Sequence, residues 1–411
     1  MSETGIIGGG ISGLCAAWYL VGEGRQVTIF NDGPIADGCS FGNAGMIVPS
    51  HIIPLAQPGM IAKGLRWMFD STSPFYIKPR LNAALLRWGW QFYRHANDEH
   101  VAHSIPALRD LSLRSKELYR QLAKDLGFTW TENGLFMLYK TESAEKEMRH
   151  EAEVANGAGI EAKVLSATEV QTLEPNVRVN VRGAVYFPGD AHVTPGEVMR
   201  ALVAGLKQRG VRFEDAAVTG FQRNGSRVAG IEAGGAVFPV DDIIVAAGAW
   251  SPELTRLLNY PLLLQGGKGY SFEWATGAPD LRVPAILLEA RATATPMAGG
   301  IRFAGTMEIA GTDLTVNPNR VRGIHQALRQ YYPDFDVPAP PTKQVWSGLR
   351  PCSPDGLPYI GRLPEWENVV LATGHGMMGL SLGPATGELV AQLLTSGLQA
   401  VDPAPFRPDR F

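Results

Sequence analysis

Gly8, Gly10 and Gly13 stand at the spacing Gly-x-Gly-x-x-Gly within Gly5-Ile-Ile-Gly-Gly-Gly-Ile-Ser-Gly13. That spacing suits one task, the holding of a pyrophosphate by main chain. The first glycine permits a tight turn, the second lets backbone approach phosphate, and the third lets a following helix pack closely on the preceding strand. The helix N-terminus then offers N–H groups and its positive dipole end to the anion. Flanking residues supply both elements. The apolar stub before the turn reads as a strand, and Leu14 to Val21 as a helical stretch. Gln26-Val-Thr-Ile-Phe30 then reads as the second strand of a βαβ unit. The first chemistry legible in this chain is therefore dinucleotide binding. Metal chemistry has no comparable signal. The eight histidines show no ligand spacing, and His95, His100 and His103 share a polar helical stretch.

A chain of 411 residues is too long for one simple core, so two closely joined domains are expected. With 37 basic and 40 acidic residues, the net charge of −3 gives no field for nucleic acid. Cys15, Cys39 and Cys352 fit no disulfide framework and point to a reducing, cytoplasmic compartment. Neither a secretory signal nor a membrane-spanning run is expected. Along the chain, 59–125 read as helices, Gly134–Lys140 as a strand and Ala144–Gly157 as a helix. Pro195–Arg209 reads as a helix capped by Thr194, leading into a short strand Val211–Phe213. Val228–Ile231 and Ala236–Val240 read as a hairpin around Gly234-Gly235, and Asp242–Ala247 as a buried strand. Residues 261–311 are strand-like, Arg320–Tyr332 is a helix, and Thr386–Thr395 belongs to a last one. No repeat or flexible linker separates these parts, which implies interleaved domains.

Beyond the glycine turn, three segments recur with it: Gly38-Cys-Ser-Phe-Gly-Asn-Ala-Gly45, Ile243-Ile-Val-Ala-Ala-Gly-Ala-Trp-Ser251, and Trp346 to Gly361 continuing to Ala372-Thr-Gly-His-Gly-Met-Met-Gly-Leu-Ser381. Together they resemble the flavin-dependent amine and amino-acid oxidoreductases of the D-amino-acid oxidase superfamily. Gly42-Asn-Ala-Gly-Met-Ile-Val-Pro49, Leu65-Arg-Trp-Met-Phe69 and Lys268-Gly-Tyr-Ser271 resemble bacterial D-amino-acid dehydrogenases in particular. The resemblance implies an α/β chain in which a Rossmann-like FAD-binding domain is interleaved with an α+β substrate domain built on a mainly antiparallel sheet. The FAD domain is expected in 1–58, 149–257 and 341–411, a helical cap region in 59–148, and the substrate sheet in 258–340.

The resemblance also implies a noncovalent FAD, with Gly8, Gly10, Ile11, Ser12 and Gly13 at the pyrophosphate. A tether through Cys352 is not expected, because that residue is offset from the tethering position of related amine oxidases. Where such enzymes carry an acidic ribose ligand, this chain has Asn31, followed by Asp32. The amide oxygen of Asn31 can accept such a bond without charge. Cys39, Ser40, Asn43, Ala44, Gly45 and Met46 match the loop that reaches phosphate and flavin, and Val218 matches an adenine contact. Ala247, Gly248 and Trp250 end a strand beneath the cofactor. Gly374, Gly376, Met377, Met378, Gly379 and Leu380 lead into the last helix, whose N-terminal end would face the flavin's pyrimidine edge and favour its reduction.

For the substrate, Arg350 is the expected carboxylate clamp, since a planar guanidinium makes two parallel bonds to a carboxylate. The alternative is a structural ion pair with a carboxylate such as Asp355, in which case Arg302 or Arg291 becomes the next candidate. Arg302 also roughly matches an oxygen-activating lysine of some related enzymes. His51, Tyr270 and His375 are candidate pocket polars. The implied reaction passes a hydride from Cα of a D-amino acid, or of a cyclic imino acid such as D-proline, to flavin N5. The imine product hydrolyses to a 2-oxo acid and ammonia, no obligatory catalytic base is required, and quinone or oxygen accepts the electrons. A glycine or sarcosine oxidase is the nearest alternative; a nicotinamide dehydrogenase or a flavin-fold binding protein without catalysis lies further off. Finally, the aromatic and basic residues between Met60 and Tyr93 form either a peripheral membrane face at the inner surface or core packing under a lid.

Overall fold

The computed structural model describes residues 2–35, 38–62, 75–77 and 82–411. Two sheets organise them. A six-stranded sheet runs in the order Arg212–Asp215, Gln26–Asn31, Glu3–Ile7, Asp242–Val245, Val369–Thr373, Tyr359–Arg362. All neighbouring pairs are parallel except the last. Its central strands are continuous apolar runs because both faces are covered, as parallel sheets require. The helix Ile11–Gly22 is buried on nearly every side between this sheet and the helix Gly379–Thr395. Glycines make that close approach. A Cβ at Gly383 would stand 2.5 Å from Ile11 Cγ1, and one at Gly387 would stand 2.4 Å from the Cys15 carbonyl carbon.

The larger sheet has nine strands and is mainly antiparallel. Its core runs Trp346–Cys352, Gln265–Trp274, Gly300–Ile309, Ala292–Met297, Ala285–Leu287, Leu135–Tyr139, Gly183–Phe187, Lys163–Ser166, with Phe75–Ile77 added beside Gly300–Ile309. A Rossmann-like unit thus interleaves with a mainly antiparallel sheet. The chain crosses between them more often than the boundaries drawn from sequence allow. Lys163–Ser166, Gly183–Phe187 and Trp346–Cys352, placed in the nucleotide half on sequence, hydrogen-bond into the larger sheet.

Several local readings change. Thr194 starts the helix Pro195–Gln208 without a side-chain cap; its hydroxyl accepts the Ala298 N–H instead. The last helix begins at Gly379, directly after the glycine-rich turn expected to lead into it, and runs through Pro384. Proline lacks the N–H that would bond the Leu380 carbonyl. Tyr119 donates its hydroxyl to that carbonyl at 2.6 Å, which anchors the long helix Asp98–Leu126 against the last one. Gly234 and Gly235, with φ of 57° and 79°, close the tight hairpin between Arg227–Ala233 and Ala236–Pro239. The stretch read as helices from 59 onward includes the short strand Phe75–Ile77. Leu65 to Phe69, one of the resembling segments, lies outside the described residues.

Candidate active site

One cavity of about 1100 Å³ opens between the two sheets. It exceeds the roughly 300–1,000 Å³ of ordinary small-molecule sites and has room for an extended ligand beside a smaller one. The fingerprint residues Gly8, Gly10, Ile11 and Ser12 form part of its wall. Gly8 has φ of +116°, and a Cβ there would lie 2.4 Å from the Ala246 carbonyl oxygen. Gly13 does not line the cavity. Its missing Cβ leaves room for the Gly8 carbonyl, which would otherwise be 2.0 Å away, so strand and helix can touch. The Ile11 N–H at the helix start donates to Ser40 Oγ at 3.0 Å. That bond ties the loop after the second strand to the helix N-terminus and leaves the Ser40 proton available to an anion.

Asn31 and Asp32 sit at the end of the second strand and line the same cavity. Asn31 Oδ1 accepts the Gly9 N–H at 2.8 Å, and its amide nitrogen donates to the Gly33 carbonyl at 2.6 Å. The side chain therefore braces the glycine turn as well as facing the cavity. Cys39, Asn43, Ala44, Met46, Val218, Ala247, Gly248 and Trp250 line the wall, as do Gly376, Met377, Met378, Gly379 and Leu380. Gly45 and Gly374 stand behind it, with φ of +81° and +80°. Their Cβ atoms would strike the Val193 carbonyl and the Tyr359 ring. They shape the loops rather than touch a ligand.

Arg350 is half-buried and reaches across its neighbouring strand. Nη1 donates to the Thr306 carbonyl at 2.7 Å, two strands away. The path is open because position 269 is glycine: a Cβ there would lie 2.1 Å from Nη1. The receiving carbonyl is aimed by an irregularity. The pairing of Gln265–Trp274 with Gly300–Ile309 shifts register between Lys268 and Tyr270, and Thr306 adopts φ of +71°. A β-branched residue in that region is strained. Among the described residues no carboxylate pairs with Arg350, and burial lowers its pKa. Asp355, the alternative partner, is held by Arg410 at 2.7 and 3.0 Å. A buried guanidinium on a cavity wall without a protein counter-ion is suited to an anionic ligand.

The other candidates divide. Arg291 lines the cavity, but Arg302 does not. Arg302 is buried, pairs with Glu273 and donates to the carbonyls of Phe41 and Asn43, so it braces the flavin-type loop from behind. The Tyr270 hydroxyl donates to Glu308 at 2.5 Å and accepts the Asn317 N–H at 3.1 Å, which ties it to structure. Burial and the Glu308 carboxylate both raise its pKa. One ring nitrogen of His375 bonds Thr386 Oγ1 at 2.9 Å, and burial lowers the imidazole to about 4. His51 also lines the cavity and is lowered to about 4 by burial. Cys352 is absent from the cavity wall and buried near Trp88 and Met307. Trp346 was missed on sequence. Its ring fits only because positions 42 and 348 are glycine, where Cβ atoms would come within 2.1 and 1.9 Å of it. His95, His100 and His103 form no metal cage, and no group of metal-ligating side chains occurs among the described residues.

Residues 3–393 match the family described as FAD dependent oxidoreductase, and the chain belongs to that family. A curated relative, the D-amino acid dehydrogenase of Helicobacter pylori, is 29% identical over 401 residues, covering 96% of this chain and 95% of its own. Among solved structures, glycine oxidase from Geobacillus kaustophilus superposes with a TM-score of 0.79 at 24% identity, over 100% of both chains. L-proline dehydrogenase from P. horikoshii gives 0.77 at 22% identity, over 100% of this chain and 97% of its own. The family match makes the protein an FAD-dependent oxidoreductase.

The cavity fits the cofactor of this family. A side chain at Gly8 would collide with backbone, Gly10 is open toward the cavity, and the fingerprint helix points its N-terminus at the same wall. Gly8, Gly10, Ile11 and Ser12 would hold the pyrophosphate, Asn31 or Asp32 the ribose, and the Gly376–Leu380 turn the ring.

Proposed function

We propose that this protein oxidatively deaminates a D-amino acid, or oxidises a cyclic imino acid such as D-proline, with FAD held noncovalently. The observation that carries this reading is Arg350, a half-buried guanidinium on the wall of the cavity that fits FAD, with no carboxylate partner among the described residues. It would hold the substrate carboxylate and so place Cα toward the ring. FAD supplies a two-electron acceptor that takes a hydride at N5. The chain's own part is orientation and dryness. Arg350 fixes one end of the substrate, apolar wall residues such as Met307 and Leu349 exclude water, and the N-terminal end of Gly379–Thr395 provides a positive field. The imine released would hydrolyse to a 2-oxo acid and ammonia. The name of the Helicobacter pylori relative favours D-amino acids. Glycine oxidation is the second reading, favoured by the superposition with glycine oxidase.

The test is anaerobic bleaching of the purified yellow protein across D- and L-amino acids, D-proline, glycine and sarcosine. Reduction by a D-amino or D-imino acid is expected, and a response confined to glycine and sarcosine would replace this reading with the second. Acid precipitation should leave a colourless pellet and a yellow supernatant. A pellet that stays yellow would refute noncovalent binding.

The electron acceptor we propose is a membrane quinone. The helix Ala83–His95 exposes Leu86, Trp90 and Tyr93 at 68, 61 and 63%. They recur at the i, i+4, i+7 spacing of one helix face, with Arg87 and Arg94 among them. No helix among the described residues is long and apolar enough to cross a membrane, so contact would be peripheral. Co-sedimentation with anionic vesicles, lost in Trp90→Glu, is the expected result. Binding unchanged by the substitution would argue for oxygen.

A further inference from the structure

The carboxylate clamp leaves one hydrogen-bonded chain on the cavity wall without a role. His51 lines the cavity, and its Nδ1 lies 3.1 Å from Ser50 Oγ. Ser50 donates its hydroxyl to Asp190 Oδ2 at 2.5 Å and its N–H to Asp190 Oδ1 at 3.1 Å. Asp190 is only 1% exposed, and its carboxylate bonds nothing else among the described residues. The pairing of Met46–Ile47 with Ala191–Val193 brings these residues together. Because the Ser50 proton points to Asp190, its oxygen accepts from His51 Nδ1–H. That sets the tautomer and leaves Nε2 as a base.

We propose that Asp190 is the final acceptor of the proton that a substrate ammonium must lose, reached through His51 and Ser50. This rests on the reading above that the substrate is an amino or imino acid oxidised at Cα. The ammonium N–H bond breaks and Nε2–H forms on His51. The Nδ1 proton passes to Ser50 Oγ, and the Ser50 proton passes to Asp190 Oδ2. A cation and a carboxylate become two neutral groups, while His51 only changes tautomer and no electrons move. Reversal after product release resets the chain.

The surroundings favour this outcome. Burial lowers His51 to about 4, so an imidazolium does not accumulate, and burial raises Asp190 to about 7, so it accepts a proton near neutrality. One charged group bears on Asp190: Lys116, from Asp98–Leu126, whose Nζ donates to the Gly189 carbonyl at 2.6 Å and pairs with Glu132 at 3.5 Å. It favours the carboxylate but does not offset burial. Neighbouring His192 is also kept neutral by burial, near 4. Ser50 and Asp190 are positioning residues in this scheme, since only His51 meets the substrate.

The experiment is the pH profile of anaerobic flavin reduction in holoenzyme, for wild type, Asp190→Asn and Ser50→Ala. Asparagine can still accept the Ser50 bond but takes no proton. General base assistance contributes roughly 10²–10⁴-fold, so a fall of at least about tenfold is expected below the substrate amine's own pKa. Above it, where the amine arrives neutral, the variants should return to within about threefold of wild type. A fluorinated amino acid whose amine is neutral at the assay pH should show no difference. A deficit of the same size at every pH and with both substrates would overturn the relay, as would no deficit anywhere. Wild type alone gives a second test that needs no variant to fold. With an indicator dye near pH 8, where Asp190 starts as the carboxylate, no proton should reach solvent up to the end of flavin reduction, and stoichiometric release would refute Asp190 as acceptor. If no amino or imino acid reduces the wild-type flavin, the parent reading has failed instead.

Discussion

Replacing Arg350 with alanine separates a substrate anchor from a structural arginine by the sign of two effects. Among the described residues the side chain has a single hydrogen bond, to the Thr306 carbonyl, and burial disfavours its charge. Removing it relieves an uncompensated buried cation and leaves one carbonyl facing an existing cavity that water can enter. The melting temperature should therefore hold steady or rise. Catalysis should respond in the opposite sense. A hydrogen bond to a charged group is worth about 1.5–3 kcal/mol, and a bidentate clamp loses two of them. Allowing for partial replacement by water, a loss of about 3 kcal/mol corresponds to at least about a hundredfold in kcat/KM. The assay is stopped-flow flavin reduction against substrate concentration, with flavin content and melting temperature measured on the same preparation. Reduction near the wild-type rate, with a clear drop in melting temperature, would refute the anchor. Arg291, which also lines the cavity, would then be the next candidate.

Gly269→Ala would put a Cβ about 2.1 Å from Arg350 Nη1. The guanidinium must move, so KM should rise at least about tenfold with little change in stability; an unchanged KM would show that the slot does not position Arg350. Tyr270→Phe orphans the Asn317 N–H and removes one donor from Glu308, which keeps its ion pair with Arg320. It should lower unfolding stability by about 1–3 kcal/mol in denaturant titration while leaving KM within about threefold; a large KM change would mean that the hydroxyl does reach substrate. His51, His192 and His375 are each lowered to about 4 in the fold, against an ordinary value of 6.5, so the unfolded chain binds more protons between those values. Asp190, raised from 3.8 to about 7, acts in the opposite sense over the whole of that range and offsets about one histidine. Stability should therefore be full above pH 6.5 and fall by a few kcal/mol toward pH 4. His375→Gln should flatten that loss, and a slope identical to wild type would contradict a neutral buried His375.

The nucleotide half was legible because its function is written in backbone geometry. Gly8, Gly10 and Gly13 sit within six residues of one another; side chains at Gly8 and Gly13 would strike backbone, and Gly10 leaves backbone open to the cavity. The hairpin at Gly234-Gly235 and the buried strand from Asp242 are likewise local, since turn chemistry and apolar runs act over a few residues. The unbroken course of the last helix past Pro384 was not. A proline at 384 argues against a helix locally, and only Tyr119, from a distant helix, supplies the donor that the proline lacks. The split of the domains escaped for a similar reason: Trp346–Cys352 has the composition of either sheet, and its pairing with Gln265–Trp274 decides which.

The site shows the same division. Sequence named Arg350, His51, Tyr270 and His375 for the substrate pocket, and all four line the cavity. It left the role of Arg302 open. Only the fold shows that Arg302 braces the Phe41–Asn43 loop and that Tyr270 serves Glu308 and Asn317. Hydrogen-bond partners far apart in the chain leave no local pattern. Ser50 and Asp190 are 140 positions apart and meet because two short strands pair. The residues themselves determine which chemistry is available; tertiary structure decides which polar groups remain free to perform it, because a buried donor or acceptor that finds a partner within the protein is no longer offered to a ligand.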